Sequence, residues 1–255
     1  PSLKVIGRGG VGMDNIDVTY AREKGLSVIN TPAASSSSVA ELVFAHLFGG
    51  VRYLFDANRN MPLDGDTRFK ELKKNYAKGS ELRGKTIGII GFGRIGREVA
   101  KIALGCGMKV IASDNYVDTA DITLDFFDGQ KVTIEVKTKP IDDLIQQSDF
   151  ITLHVPAQKQ YVIGRAQIEK MKDGAAIINA ARGGVIDEVA LIEALDSGKL
   201  SFAGLDTFEK EPTPEVKVLM SHKVSLSPHI GAATNEAQDR IGTELATQII
   251  ELFEN

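Results

Sequence analysis

Arg182, Glu211 and His229 each stand at or just beyond the end of an apolar run, respectively Ala175 to Ala181, Gly204 to Phe208 and Val224 to Pro228. A guanidinium presents a planar fork of donors that suits a carboxylate and polarises a carbonyl beside it. An imidazole exchanges a proton close to neutrality, and a carboxylate next to it favours and orients the protonated ring. Together these three suit transfer of a hydride at a carbon beside an anionic group, with a nicotinamide as the hydride partner. Gly183, Gly184 and Asp187 predict a turn and then a helix start, which puts Arg182 at a strand-to-helix corner. Pro212 disfavours helical backbone at Glu211. Each residue also has a duller reading: a structural ion pair for Arg182, a solvated loop acid for Glu211, a satisfied histidine beside a turn for His229. What favours chemistry is the nucleotide site that precedes them.

That site opens with the apolar run Thr86 to Ile90, followed directly by Gly91-Phe92-Gly93-Arg94-Ile95-Gly96 and a predicted helix over Arg97 to Leu104. Strand, glycines and helix in this order form a dinucleotide fingerprint: a tight turn at Gly91, close backbone approach at Gly93, close helix packing at Gly96, and phosphates at the positive end of the helix dipole. The next strand, from Lys109, ends in Asp114, at about the separation of ~20 residues expected of the acid that holds an adenosine ribose. A carboxylate there repels a 2'-phosphate, and Asn115 and Tyr116 bring no positive charge, so NAD is expected rather than NADP. Of the other histidines, His46 lies in an apolar helical stretch, His222 in a loop beside Lys223, and His154 at a strand end where it could support the nicotinamide pocket. No spacing resembles a metal site.

Short Val- and Ile-rich runs alternate with longer amphipathic segments, which predicts an α/β fold, a doubly wound parallel sheet with helices on both faces. Strands are expected over Lys4–Ile6, Ser27–Ile29, Thr86–Ile90, Lys109–Ala112, Phe150–His154, Ala176–Asn179, Phe202–Leu205 and Val224–Leu226. Apolar spacing predicts one long helix over Val39–Asn58, begun by a capping box of Ser38 and Glu41. Its breadth of apolar surface fits a subunit contact or packing within its own domain equally well. Period-two alternation over Ile122–Val136 around Asp128 and Gly129 predicts a hairpin with a tight turn. A last helix is expected over Asn235–Phe253, with Asn235 and Gln238 spaced for capping.

With 255 residues, 43% of them hydrophobic, the chain can bury a substantial core. A net charge of -4 gives no electrostatic footprint for nucleic acid, no apolar stretch reaches membrane-spanning length, and the single cysteine, Cys106, fits a reducing compartment, so a soluble, cytoplasmic protein acting on small molecules is expected. Pro1 opens directly on an apolar strand, which reads as a chain beginning inside a longer one.

These motifs, with Gly7-Arg-Gly-Gly-Val-Gly-Met-Asp-Asn-Ile-Asp17, Asn30-Thr-Pro32, Ser38-Val-Ala-Glu41, Asn179 to Asp187, Leu205 to Pro212 and Ser227 to Gly231, give the chain its resemblance to the D-isomer-specific 2-hydroxyacid dehydrogenases. The resemblance implies Arg182 as carboxylate clamp, Glu211 as partner of His229, and His229 as acid and base. It further implies substrate contact from the backbone at Val11 and Gly12, Arg94 and Ile95 in the pyrophosphate loop, Val155 and Ala180 lining the nicotinamide pocket, and Asp206 reaching the nicotinamide amide. Residues 1–29 and a C-terminal helix over 232–255 would then belong to a flavodoxin-like substrate domain whose beginning precedes Pro1. Residues 30–231 would form the NAD-binding domain, with a homodimer joined through the helix near 39–58. The implied substrate is a D-2-hydroxy acid, 3-phosphoglycerate first, as in serine biosynthesis. Its phosphate reader would precede Pro1, and Ser35 stands where many members carry an asparagine. Hydroxypyruvate or glyoxylate reduction, and an NAD-sensing role like that of corepressors of this family, are the alternatives.

Overall fold

In the computed structural model, which describes residues 2–254, the runs read as strands become strands with bounds moved by no more than two residues at either end. The chain forms two compact units, one made of the residues up to Val39 with those from Ile230 on, the other of Ala40–His229. In the first, β1 (Val5–Arg8) and β2 (Ser27–Asn30) pair in parallel, joined through α1 (Val18–Glu23). Asp17 caps α1, its Oδ1 accepting from the Tyr20 amide at 2.9 Å.

Where one helix was expected over 39–58, there are two. α2 (Ser36–Val51) ends, and α3 (Leu54–Asp64) leaves at an angle of 58°. The break falls at Tyr53, whose φ of 55° is left-handed. Apolar spacing continues through it, which is why periodicity alone did not reveal it. Gly49 and Gly50 weaken the last turn, and the Val51 carbonyl, free of any helical partner, accepts from the Ser80 amide at 2.9 Å. Ser38 does not act as a cap, because α2 has already begun. Its hydroxyl instead meets Thr234 Oγ1 at 2.9 Å.

α4 (Phe69–Asn75) leads to β3 (Thr86–Ile90), α5 (Arg94–Gly105) and β4 (Lys109–Ser113). The hairpin follows as β5 (Thr119–Asp125) and β6 (Lys131–Lys137), paired antiparallel with Ile122 opposite Ile134. Its connection over 126–130 holds the expected tight turn, with the Gly129 amide donating to Phe126 O at 2.9 Å and the Phe126 amide to Gln130 O at 2.9 Å. The chain continues with α6 (Ile141–Gln147), β7 (Phe150–Leu153), α7 (Arg165–Lys170), β8 (Ala175–Asn179), α8 (Glu188–Ser197), β9 (Leu200–Leu205), α9 (Val216–Leu219) and β10 (Val224–Leu226). α10 (Asn235–Glu254) completes the first unit. Its cap is Thr234, one residue before the expected Asn235, with Oγ1 accepting from the Ala237 amide at 3.1 Å.

The sheet of the second unit is parallel throughout, in the order β10-β9-β8-β7-β3-β4. After β3 the chain moves outward to β4, then returns to the other side of β3 as β7. This reversal opens a crevice at the carboxyl ends of β3 and β7, the place where open α/β sheets bind ligands. Ile87, Ile89, Ile151, Leu153, Ile177 and Ile178 are fully buried, as strands covered on both faces require.

α2 lies close on β9. Gly50 faces the Phe202 ring so closely that a Cβ would collide with it, and a Cβ at Gly204 would stand 2.7 Å from His46 Cβ. The helix thus packs most of its apolar face within its own unit, with Val43 and Leu47 fully buried and Phe48 exposed. No single described helix is long and apolar enough to cross a membrane. Gly50→Ala should lower unfolding stability by about 1–3 kcal/mol, the usual cost of overpacking. An unchanged denaturant midpoint would show that the helix-to-strand contact is slack.

Candidate active site

The cofactor cradle sits at the crevice. Gly91 follows β3 with φ of 92°, and a Cβ there would stand 2.5 Å from the His154 carbonyl oxygen at the end of β7. Gly96 abuts the Gly91 carbonyl, where any Cβ would collide. Around Gly93 and Arg94, by contrast, the chain is exposed, and a Cβ at Gly93 would meet nothing within 4 Å. The cradle is therefore closed on the sheet side and open where a pyrophosphate would lie against the first turn of α5, which starts at Arg94 and includes Ile95. Asp114, just after β4, accepts from the Phe92 amide through Oδ2 at 2.6 Å and from the Tyr116 amide through Oδ1 at 2.8 Å. Each carboxylate oxygen has a second lone pair, so these bonds fix the group while leaving it able to accept from ribose hydroxyls. The residues present fit a dinucleotide.

His154 ends β7 beside Val155. Its Nε2 lies 3.0 Å from Thr152 Oγ1, while its Nδ1 is buried without a hydrogen-bond partner. Burial lowers its pKa from 6.5 to about 3, so the ring is neutral in the folded protein.

The three candidate residues Arg182, Glu211 and His229 follow successive strands, β8, β9 and β10. Arg182 follows β8 in a turn braced by Asn179, whose Oδ1 accepts from the Ala181 amide at 3.0 Å and whose Nδ2 donates to the Arg182 carbonyl at 2.9 Å. Ala180 lies within this turn, buried. Gly183 then packs on the backbone of Phe208 and Glu209, where a Cβ would collide with the Phe208 carbonyl. The loop carrying Arg182 and the loop leading to Glu211 are thus in direct main-chain contact. A reciprocal pair reinforces them: the Glu188 amide donates to Glu209 Oε1 at 2.9 Å, and the Glu209 amide to Glu188 Oε1 at 2.8 Å. Burial, together with the neighbouring Glu209, Glu215 and Glu211 and against the Glu209 amide bond, raises the Glu188 pKa.

Glu211 Oε1 accepts from the Phe208 amide at 3.0 Å, and Oε2 lies 2.8 Å from His229 Nδ1. A carboxylate only accepts, so Nδ1 carries a proton and Nε2 is the ring atom left to exchange one with a ligand. Its backbone φ of 54° puts His229 in the left-handed region, uncommon for a side-chain-bearing residue. A conformation of this kind costs about 1–3 kcal/mol and is concentrated at functional sites. Asp206, buried after β9, accepts from Ser227 Oγ at 2.6 Å. Val11 and Gly12 belong to the other unit, in the bend after β1, where the Val11 carbonyl accepts from Asn30 Nδ2 at 2.8 Å.

Comparison with known proteins agrees with this geometry. Residues 44–231 match the family model described as D-isomer specific 2-hydroxyacid dehydrogenase, NAD binding domain. The chain belongs to that family. It is 46% identical over 253 residues to a hydroxypyruvate reductase of Thermotoga maritima, spanning 97% of this chain and 77% of that protein. To a D-3-phosphoglycerate dehydrogenase of Methanocaldococcus jannaschii it is 45% identical over 249 residues, spanning 97% of this chain but 45% of that protein, less than half its length. The solved D-lactate dehydrogenase of Aquifex aeolicus, complexed with NAD and lactic acid, superposes with a TM-score of 0.77 at 33% identity, over 99% of this chain and 77% of the other. The family is one of NAD-dependent oxidoreductases, and NAD is the cofactor.

Sequence reading missed the braces. Asn179 lies within a motif but braces its own turn, two and three residues on, while Glu188, just past that motif, meets Glu209 across 21 residues that only the fold brings together. Replacing Gly183 with Ala should cut turnover by roughly a hundredfold, as expected of an ångström-scale misplacement, with NADH affinity much less affected. Equal losses in both would show that the contact supports the fold at large. Because the folded pKa of His154 is depressed, its neutral form stabilises the protein above the unfolded pKa of 6.5, and that contribution is lost as pH falls toward about 3. His154→Asn should therefore lose less stability than the wild type between pH 7 and 4 in denaturant titrations; an identical acid sensitivity would contradict a buried neutral ring.

Proposed function

We propose that the protein interconverts a D-2-hydroxy acid and its 2-oxo acid. The observation that carries this reading is the Glu211 to His229 pair at 2.8 Å, with Nδ1 committed to the carboxylate. In this reading Arg182 holds the substrate carboxylate. His229 Nε2 gives a proton to the carbonyl oxygen during reduction and takes one from the hydroxyl during oxidation. Glu211 holds the ring in orientation and stabilises it when doubly protonated. NAD, held by Gly91, Gly93, Arg94, Ile95, Gly96 and Asp114 with Val155 and Ala180 at the nicotinamide end, supplies the hydride acceptor or donor. Asp206 accepts from the carboxamide of the nicotinamide.

For the substrate we favour 3-phosphoglycerate, which would place the enzyme at the entry to serine biosynthesis; the D-3-phosphoglycerate dehydrogenases among the relatives support this. Hydroxypyruvate is the second reading, supported by the Thermotoga relative. A homodimer in the cytoplasm completes the proposal. Phe48, Leu54, Met61, Leu63 and Phe69, exposed along α2, α3 and α4, support a second copy of the chain covering this side.

Initial rates with 3-phosphoglycerate, D-glycerate and D-lactate, and in reverse with hydroxypyruvate and glyoxylate, test the substrate. The highest kcat/KM should fall to 3-phosphoglycerate; a preference for hydroxypyruvate over it would reassign the enzyme, and no turnover with any of them would sink the dehydrogenase reading. His229→Ala should abolish the chemical step and leave NADH affinity nearly unchanged. Collapse of NADH binding would remove His229 from its assigned role.

A further inference from the structure

His46 reaches the cofactor side of the sheet through a chain of hydrogen bonds that fixes its own tautomer. The ring is buried in α2, with Nδ1 2.8 Å from Ser225 Oγ and Nε2 2.9 Å from Ser227 Oγ. Ser227 Oγ is also 2.6 Å from Asp206 Oδ1, toward which it donates. A hydroxyl has one proton. Since that of Ser227 goes to the carboxylate, its oxygen can only accept from His46, and Nε2 must carry the hydrogen. Burial, partly offset by the charge of Asp206, lowers the pKa of His46, so the ring is neutral; Nδ1 is then an acceptor, satisfied by the Ser225 hydroxyl. Every proton in the series has one assignment.

The series also has little freedom to slip. Asp206 is 1% exposed, and its own amide donates to the Asn179 carbonyl at 2.9 Å. The ring of His46 is set against β9 because Gly204 leaves no side chain in the way. Ser225 lies in β10 and Ser227 one residue past its end, where the Ser227 amide still donates to the Leu205 carbonyl at 3.0 Å, so the spacing of two residues returns both side chains to one face.

We propose that His46 and Ser227 are positioning residues for the cofactor. Acting through Ser227, His46 holds the Asp206 carboxylate in the orientation that accepts the nicotinamide carboxamide. This rests on the reading of Asp206 given under the proposed function. A donor that points into a fixed carboxylate favours the acceptor geometry before the ligand arrives, which lowers the ordering cost of binding.

The test uses two cofactors that differ only at the group in question: NADH, and its 3-acetylpyridine analogue, in which a methyl replaces the carboxamide nitrogen. The ratio of their dissociation constants, measured by equilibrium fluorescence titration of the whole protein without substrate, reports the carboxamide contact. His46→Leu and Ser227→Ala should each weaken NADH by about tenfold while leaving the analogue nearly unchanged, the scale of one hydrogen bond to a charged group. His46→Gln, whose amide can donate in place of Nε2, should recover much of the ratio. Asp206→Ala provides the reference. If it collapses the ratio while His46→Leu and Ser227→Ala weaken both cofactors equally, or neither, the relay is wrong and the reading of Asp206 stands. If Asp206→Ala leaves the ratio unchanged, the reading of Asp206 fails and the relay fails with it. Should His46→Leu not fold, Ser227→Ala and His46→Gln decide by the same criteria.

Discussion

The arrangement of the site depends on one backbone contact, Gly183 against Phe208 and Glu209. Parallel strands deliver their carboxyl ends to one edge of the sheet, but adjacency of strands does not by itself align the loops beyond them. At Gly183 the two loops meet main chain to main chain, and no side chain larger than hydrogen fits. The backbones that carry the guanidinium and the carboxylate are thereby held against each other. The Glu188 and Glu209 pair adds two hydrogen bonds across the same junction, and a buried carboxyl that has lost such a partner is costly. Precision at His229 is inherited from this junction through Glu211.

Residues close in sequence made much of this legible. The glycines from Gly91 to Gly96 and the carboxylate at Asp114 form a pattern whose spacing follows from the requirements of phosphate and ribose binding, and Arg182, Glu211 and His229 each stood out by ending an apolar run. The fold class followed from alternation of apolar runs with amphipathic ones. What stayed hidden is long-range. The break at Tyr53 interrupts a helix whose apolar spacing continues through it. His46 looked like one more residue of an apolar helix. Its meaning comes from Ser225 and Ser227, which lie roughly 180 positions later in the chain.

A buried histidine, His46, and a partly buried one, His154, show how the fold handles titratable groups at this edge of the sheet. Both His46 and His154 are held neutral by burial, so neither adds charge beside the cradle as pH changes around neutrality. His229, by contrast, is half exposed, with its Nδ1 2.8 Å from the Glu211 carboxylate. Depth thus separates the two neutral rings from the more exposed ring of His229.

The hairpin of β5 and β6 follows directly on the residues around Asp114. Thr138, just past it, bridges in parallel to Ala112, and the Lys139 amide donates to the Ala112 carbonyl at 2.8 Å. β4 is the terminal strand of the sheet on this side, and terminal strands present unpaired amides and carbonyls on which other chains can template. By occupying part of that border, the segment after the hairpin covers the sheet edge beside Asp114 against the addition of further strands, a safeguard against aggregation.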